Sequence, residues 1–128
     1  MKRRIMFRGK CAGTWRTGDH LTYREGDAIK HWMGSISPEY SVDSETVGQF
    51  TGAYDADGNE IFEDDICQLI GTDHRLKVGW DTSSLRFSFF TREGKQSKFK
   101  LHTAKNEQYK VIGNVFDNPE LFERSKVS

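Results

Sequence analysis

The chain has 128 residues, enough for one domain or for two very small ones. Its 19 basic and 19 acidic side chains give a formal net charge of zero, which argues against a general polyanion-binding protein. Nine Phe, four Tyr and three Trp supply apolar area for a core, and no apolar run approaches the length of a membrane span. We therefore expect one domain over 1–128, with an alternative division into an N-terminal part, 1–48, and a C-terminal β part, 49–128.

The N-terminal part predicts short strands separated by turns. We expect residues 4–9 to form a first strand, and residues 11–19 are rich in turn-forming types. Alternating side chains predict further strands over 21–23 and 28–33. We expect a loop over 34–44, which contains Pro38, to follow them.

The two cysteines, Cys11 and Cys67, lie far apart in the sequence. The N-terminus runs straight into polar residues without the pattern of a signal peptide, so we expect a cytoplasmic chain with reduced thiols. No C-x-x-C or H-x-x-x-H spacing is present, and we expect neither a metal nor a cofactor. Cys67 could pair with His74 or His102 as a nucleophile, but a thiol in an apolar strand is more often an inert core group.

The centre of the chain, 42–67, predicts a tight turn at Asp57-Gly58. Gly58 accepts a positive φ angle without a Cβ clash, and an Asp before it can bond its own backbone. Asp55, Asp57 and Asn59 alternate like the first ligands of a calcium loop. The register then fails, because the Gly and the bidentate acid that such a loop requires would fall on Glu60 and Ile66. We therefore expect a turn rather than a metal site.

The second half predicts many short strands and one helix. Turn signals every eight to twelve residues favour an all-β barrel or sandwich of antiparallel strands. A short C-terminal helix is expected over 118–124, where Asn118 offers an N-cap and Pro119 suits the first helical position. Strands are expected over 66–70, 76–80, 85–89, from 99 onwards, and over 109–116.

With these motifs in order, the chain resembles the YopX family of phage and prophage proteins. The resemblance implies a small, mainly β protein encoded by a phage or an integrated prophage, without a known activity and without catalytic or binding residues to carry over. Asp64 replaces a Gly of the family pattern, so Asp64 must adopt a positive φ angle if that Gly does. The segments that carry the resemblance are 5–10, 13–15, 42–52, 57–66, 111–115 and 117–121.

A basic and aromatic segment, 86–110, is the candidate nucleic-acid site. Small barrels use such surfaces to stack bases and to neutralise phosphates. In the alternative interpretation, the Phe side chains face the core and the Lys side chains are solvated. The candidate site residues are Arg86, Arg92, Lys98 and Lys100, and the interleaved rings are Phe87, Phe89, Phe90 and Phe99.

Three functions follow from these observations. The first is a non-enzymatic phage accessory protein of the bacterial cytoplasm that binds another protein or associates with itself, since no catalytic constellation is recognisable. The second is a small β-barrel that binds single-stranded nucleic acid through 86–110. The third is a small hydrolase that uses Asp64, Asp65 or a His.

Overall fold

The computed structural model describes residues 5–33, 41–102 and 104–122, and the side chains of all of these except 21, 23–25, 32 and 104. The mainly β prediction is confirmed, because the described residues form strands and 3-10 turns without an α-helix. The chain divides into two compact units, Met1–Phe50 and Thr51–Ser128. The strands are β1 (Phe7–Cys11), β2 (Thr14–Gly18), β3 (His20–Glu25), β4 (Ala28–Met33), β5 (Gly48–Tyr54), β6 (Glu60–Phe62), β7 (Asp65–Leu69), β8 (Arg75–Asp81), β9 (Arg86–Phe90), β10 (Ala104–Lys105) and β11 (Tyr109–Asn114).

The first unit contains two antiparallel hairpins. Ala12 and Gly13 join β1 to β2, and their φ angles of 50° and 83° suit a two-residue turn that matches the twist of the strands. The region 11–19, predicted to be turn-rich, therefore holds a full strand. β3 pairs with β4 throughout, from His20 opposite Met33 to Glu25 opposite Ala28.

The second unit is built on an antiparallel sheet in the order β11-β7-β8-β9. β5 also enters this unit, where it pairs with β6 and, in parallel, with β10. Alternation along the strands turns apolar side chains to one face, which forms the core. The core cluster consists of Ala53, Ile61, Cys67, Leu76, Val78, Phe89 and Tyr109.

The turn chemistry at the centre of the chain agrees with the sequence. Gly58 has a φ angle of 84°, as predicted for the Asp57-Gly58 turn. Asp64 has a φ angle of 71°, so it occupies the left-handed position that the resemblance implies for it. Its N–H donates to the Val78 carbonyl oxygen at 2.8 Å, which ties this corner to β8.

The predicted C-terminal helix is wrong as far as the structure describes it. Pro119–Leu121 is a 3-10 turn, and Asn118 makes no side-chain capping bond. The Asn118 Oδ1 atom instead accepts the Asn114 N–H at 3.3 Å, so the capping oxygen is already engaged by the end of β11. Residues 123 and 124 of the predicted helix lie outside the described residues.

The strand predicted from Phe99 onwards is also wrong over its first residues. Lys98 and Phe99 lie in a bend, and the short strand of this region is β10. Phe99 nevertheless packs against the core cluster, so its burial comes from a loop rather than from a strand.

Candidate functional site

The four predicted nucleic-acid residues are all exposed, but they lie at separate places. Arg86 begins β9, whereas Arg92 lies in the turn beyond the other end of that strand. Five strand residues span about 13 Å, so β9 alone separates these two cations by more than a base-stacking distance. Lys98 and Lys100 lie in the loop that follows the turn. The nucleic-acid site stays a prediction.

The rings of the same segment serve mainly the core. Phe89 is fully buried, and Phe87 is nearly so. Phe99 is half-buried against the core cluster, and the Lys98 Nζ atom lies 5.5 Å from its ring centroid. Rings in these positions are not available to stack successive bases, and this burial favours the alternative in which the Lys side chains are solvated.

The central acidic residues act within turns. The Asp55 carboxylate is buried and accepts four hydrogen bonds, from the N–H groups of Asp57, Asn59 and Val111 and from the Asn59 side-chain amide, at 2.8–3.2 Å. Burial alone would raise the pKa of Asp55, but these donors, Val111 first, hold that pKa below its ordinary value. Asp65 is also buried and accepts the Phe62 N–H at 2.7 Å.

The Cys67 thiol is unsuited to nucleophilic attack. Its side chain is fully buried, and burial, followed by the nearby carboxylates of Asp65 and Asp55, raises the pKa of the thiol far above its usual value. Of the two histidines considered as its partners, His74 packs its ring against Phe99 with centroids 5.2 Å apart. No group of three or more His, Cys, Asp or Glu among the described residues could hold a metal ion.

The first unit carries an open concavity and a histidine pair. The concavity has a volume of about 530 Å³ and presents one cation and one carboxylate, Lys10 and Asp43, which are too few groups to specify a ligand. His20 and His31 stack at 5.1 Å, with a 2.8 Å contact between Nε2 and Nδ1. Burial and then the neighbouring His31 lower the pKa of His20.

The turn between β8 and β9 is held by Asp81. Its carboxylate accepts the Ser83 N–H at 3.0 Å, the Ser83 hydroxyl at 2.7 Å and the Ser84 hydroxyl at 2.6 Å. The Ser84 and Ser83 hydroxyls lower the pKa of Asp81, so the carboxylate stays charged and the turn stays anchored at neutral pH. This anchor fixes the conformation of the residues that follow.

Leu85 ends this turn in an unfavourable conformation. Its φ angle is 54°, a left-handed position that Gly, Asn or Asp normally occupies. Its side chain is 74% exposed, so no burial within the chain offsets the strain. Across the hairpin, Trp80 is 45% exposed and packs edge-on against Phe87 with ring centroids 5.0 Å apart. We define the hairpin-tip surface as Trp80, Leu85, Arg86 and Phe87.

Within the described residues, the outer edge of β9 is closed at one end only. The Ser97 N–H donates to the Phe89 carbonyl oxygen at 2.9 Å, and Gln96 forms a bridge with Phe90. Since backbone polar groups alternate between the two edges of a strand, those of Phe87 point the same way as those of Phe89. In the part of the chain that the structure describes, no loop hydrogen bond reaches Phe87. The candidate site therefore combines exposed apolar groups with an open strand edge.

Alternation along the sequence did not reveal this site. Leu85, Phe87 and Phe89 share one parity, which predicts three core residues. The structure starts β9 one residue later, at Arg86, and leaves Leu85 in the turn. The signal that could have indicated it is the Asp-Thr-Ser-Ser sequence before Leu85, because Asp and Ser side chains bond turn backbones.

Comparison with known proteins places this chain by fold and family. A family model described as YopX protein matches residues 7–123, nearly the whole chain. The chain is also similar to protein EF1440 from Enterococcus faecalis, known from a crystal structure. That likeness has a TM-score of 0.55 and 20% sequence identity, covers 95% of this chain and 100% of the other, and shows the fold alone. No curated protein matches the chain. In the described residues, no helix has the length and apolar character needed to cross a membrane.

Proposed function

We propose that this chain, which belongs to the YopX family, is a phage or prophage accessory protein that acts in the bacterial cytoplasm by binding another protein or a second copy of itself. The hairpin-tip surface makes the contact. The observation that supports this most is Leu85, which is held at a φ angle of 54° with its side chain 74% exposed.

The backbone of Leu85 is strained. A non-Gly residue in the left-handed region costs about 1 kcal/mol, and strained backbone is concentrated at binding and catalytic sites. A buried Leu would offset this cost, but Leu85 is among the most exposed large apolar residues of the described chain. Burial of its side chain by a partner would contribute about 1.5–3 kcal/mol to binding, which exceeds the cost of the left-handed backbone conformation.

Trp80 contributes a partly exposed aromatic side chain to the hairpin-tip surface. Aromatic residues are enriched at protein interfaces because they bury a large apolar area with few rotatable bonds. Trp80 lies directly opposite Phe87 across the hairpin, and the edge-on packing of the two rings holds the indole in place while part of it faces solvent. A partner would therefore meet a preorganised aromatic group beside an apolar one.

The other acidic and nucleophilic groups support a binding role over catalysis. The buried carboxylates of Asp55, Asp65 and Asp81 accept hydrogen bonds from their own turns. Groups used in this way hold the backbone and are not presented to a substrate. A hydrolase would need a carboxylate or thiolate that faces a cleft.

Affinity capture from phage-infected cells tests the proposal. Wild-type chain is compared with Leu85→Asn, which removes the apolar group but suits the backbone conformation. Ile70→Asn is the matched control, because Ile70 is 53% exposed in the turn between β7 and β8. We expect a protein that is captured by wild type and by Ile70→Asn and is lost with Leu85→Asn. Equal capture by all three baits would contradict the proposal.

Nucleic acid is recovered from the same samples. Several exposed cations follow β9, among them Arg92, Lys98 and Lys100, and this observation supports the second function. Charge reversal at Lys98 and Lys100 should leave protein capture unchanged. Salt-sensitive oligonucleotide binding that this reversal abolishes would instead favour the nucleic-acid function, because each neutralised phosphate releases counterions.

A further inference from the structure

We infer that the partner of the hairpin-tip surface is the same surface on a second copy of this chain, joined by antiparallel pairing of the two β9 strands about a two-fold axis at Phe87. This inference rests on the proposed function, since it names the partner of the proposed contact. Two-fold symmetric contacts between identical surfaces are the commonest form of self-association.

The open part of the β9 edge is three residues long. At the N-terminal end of β9, Leu85 has a left-handed backbone conformation, so the extended strand does not include it. At the other end, Ser97 occupies the edge at Phe89 through its 2.9 Å hydrogen bond. Residues 86–88 remain, and the outward N–H and C=O groups of Phe87 lie at their centre. Strand edges left open in this way recruit another strand.

Only one symmetric alignment of this edge fits. An alignment centred on Ser88 requires the edge at Phe89, which Ser97 already fills. An alignment centred on Arg86 places two guanidinium groups directly opposite each other, which is unfavourable. The alignment centred on Phe87 places Arg86 opposite Ser88 of the second copy and lets the two Phe87 residues exchange a pair of backbone hydrogen bonds.

A polar group inside the chain supports this alignment. Ser88 is 4% exposed, and its Oγ atom has no hydrogen-bond partner among the described residues. Such groups are rare in folded proteins and call for an explanation. The Arg86 side chain is exposed, and no side-chain hydrogen bond or ion pair to it is found in the described part of the chain. In the Phe87-centred pair, a change of the Ser88 χ1 rotamer would carry its Oγ atom towards the strand edge, where the guanidinium of the second copy can donate to it.

The remaining contact is apolar and small. Trp80 shares the face of Phe87, so the two-fold axis brings both indoles alongside the paired strands. Leu85 directly precedes β9, so its exposed side chain lies at the end of each paired strand. Each copy contributes three residues of the β9 edge and two exposed apolar side chains. The surface area buried by such a contact is below that of a standard stable interface, so the association is weak and reversible.

Disulfide mapping tests the alignment in a Cys11→Ser background. Residue 86 of one copy and residue 88 of the other form a pair with Cα atoms about 4.5 Å apart, a separation that a disulfide bridges. We expect an equimolar mixture of Arg86→Cys and Ser88→Cys chains to cross-link several-fold faster than either variant alone. Equal or faster cross-linking of Arg86→Cys by itself would overturn the Phe87-centred alignment.

Sedimentation equilibrium of the full chain gives an independent measurement without cysteines. We expect the average mass of wild type and of Ile70→Asn to rise with concentration, and that of Leu85→Asn to remain at the monomer value. A wild-type chain that stays monomeric overturns the inference. If wild type is monomeric but Leu85→Asn loses capture of another protein from cells, the proposed function stands with that protein as the partner. If wild type is monomeric and Leu85→Asn captures the same proteins as wild type, the inference and the proposed function both fail.

Discussion

The turn around Asp55 and the turn around Asp81 each close a hairpin of the second unit, and each is held by an aspartate carboxylate. Both also contain one residue with a positive φ angle. In the first turn that residue is Gly58, at 84°, and in the second it is Leu85, at 54°. The Asp55 carboxylate in addition crosses to β11 and accepts the Val111 N–H, whereas Asp81 serves its own turn.

The Asp55 turn stabilises the fold, whereas the Asp81 turn places Leu85 in a backbone conformation that costs free energy. Around Asp55, local conformation, hydrogen bonding and burial all favour the same structure. Around Asp81, the anchor is equally good, but the residue that it forces into the left-handed region is a poor choice for that conformation and gains no burial. A local conflict of this kind points to selection for something other than stability.

The largest effect is expected at Asp55. Asp55→Ala leaves the N–H groups of Asp57, Asn59 and Val111 without their acceptor, and we expect a loss of about 4 kcal/mol in the free energy of unfolding. Urea denaturation measures it. The matched control is Asp57→Ala, whose exposed carboxylate makes a 3.6 Å ion pair with Lys110 and should cost less than about 0.5 kcal/mol. Similar losses for both variants would remove the distinction between the two aspartates.

Acid should act through the same carboxylate. The pKa of Asp55 is lower in the folded chain than in the unfolded chain. Its stabilisation is therefore complete above the unfolded value of about 3.9 and is lost as pH falls through the folded value. The stability difference between wild type and Asp55→Asn should narrow below that pH, as followed by thermal unfolding. A difference that stays constant at low pH would show that the charge of Asp55 does not contribute.

A smaller effect is expected at Gly58. A Cβ atom there would meet no other atom within 4 Å, so any cost of substitution comes from the backbone alone. Gly58→Val should lose about 2 kcal/mol, while Gly58→Asn, which tolerates the left-handed region, should lose much less. Thermal melts of the two variants provide the comparison. Equal losses would mean that the turn relaxes to another conformation.

Turn chemistry was the part of the fold that could be predicted from the sequence. The positive φ angle of Gly58 follows from the Asp-Gly pair, and that of Asp64 is tolerated because Asp can bond locally. These preferences act within a few residues, so the rest of the chain does not change them. The alternation along β8 likewise placed Leu76 and Val78 in the core.

The failures lie where a side-chain hydrogen bond to a residue three or four positions away selects one of several local alternatives. Asn118 and Pro119 are a good helix start, but the Asn118 side chain bonds the Asn114 N–H and the segment becomes a 3-10 turn. Leu85 continues the apolar alternation of Phe87 and Phe89, and only the Asp81 turn moves it out of the strand. Alternation alone did not predict the candidate site for this reason, because its main residue, Leu85, looks like a core residue in the sequence.

Stability and association are best measured together, on the same preparations of Leu85→Asn and wild type. Asn suits the left-handed conformation, so we predict that the free energy of unfolding of Leu85→Asn equals that of wild type or exceeds it by up to about 1 kcal/mol, and that the variant loses self-association. A variant that is less stable than wild type and associates as wild type does would contradict this prediction, because Leu85 would then serve the fold.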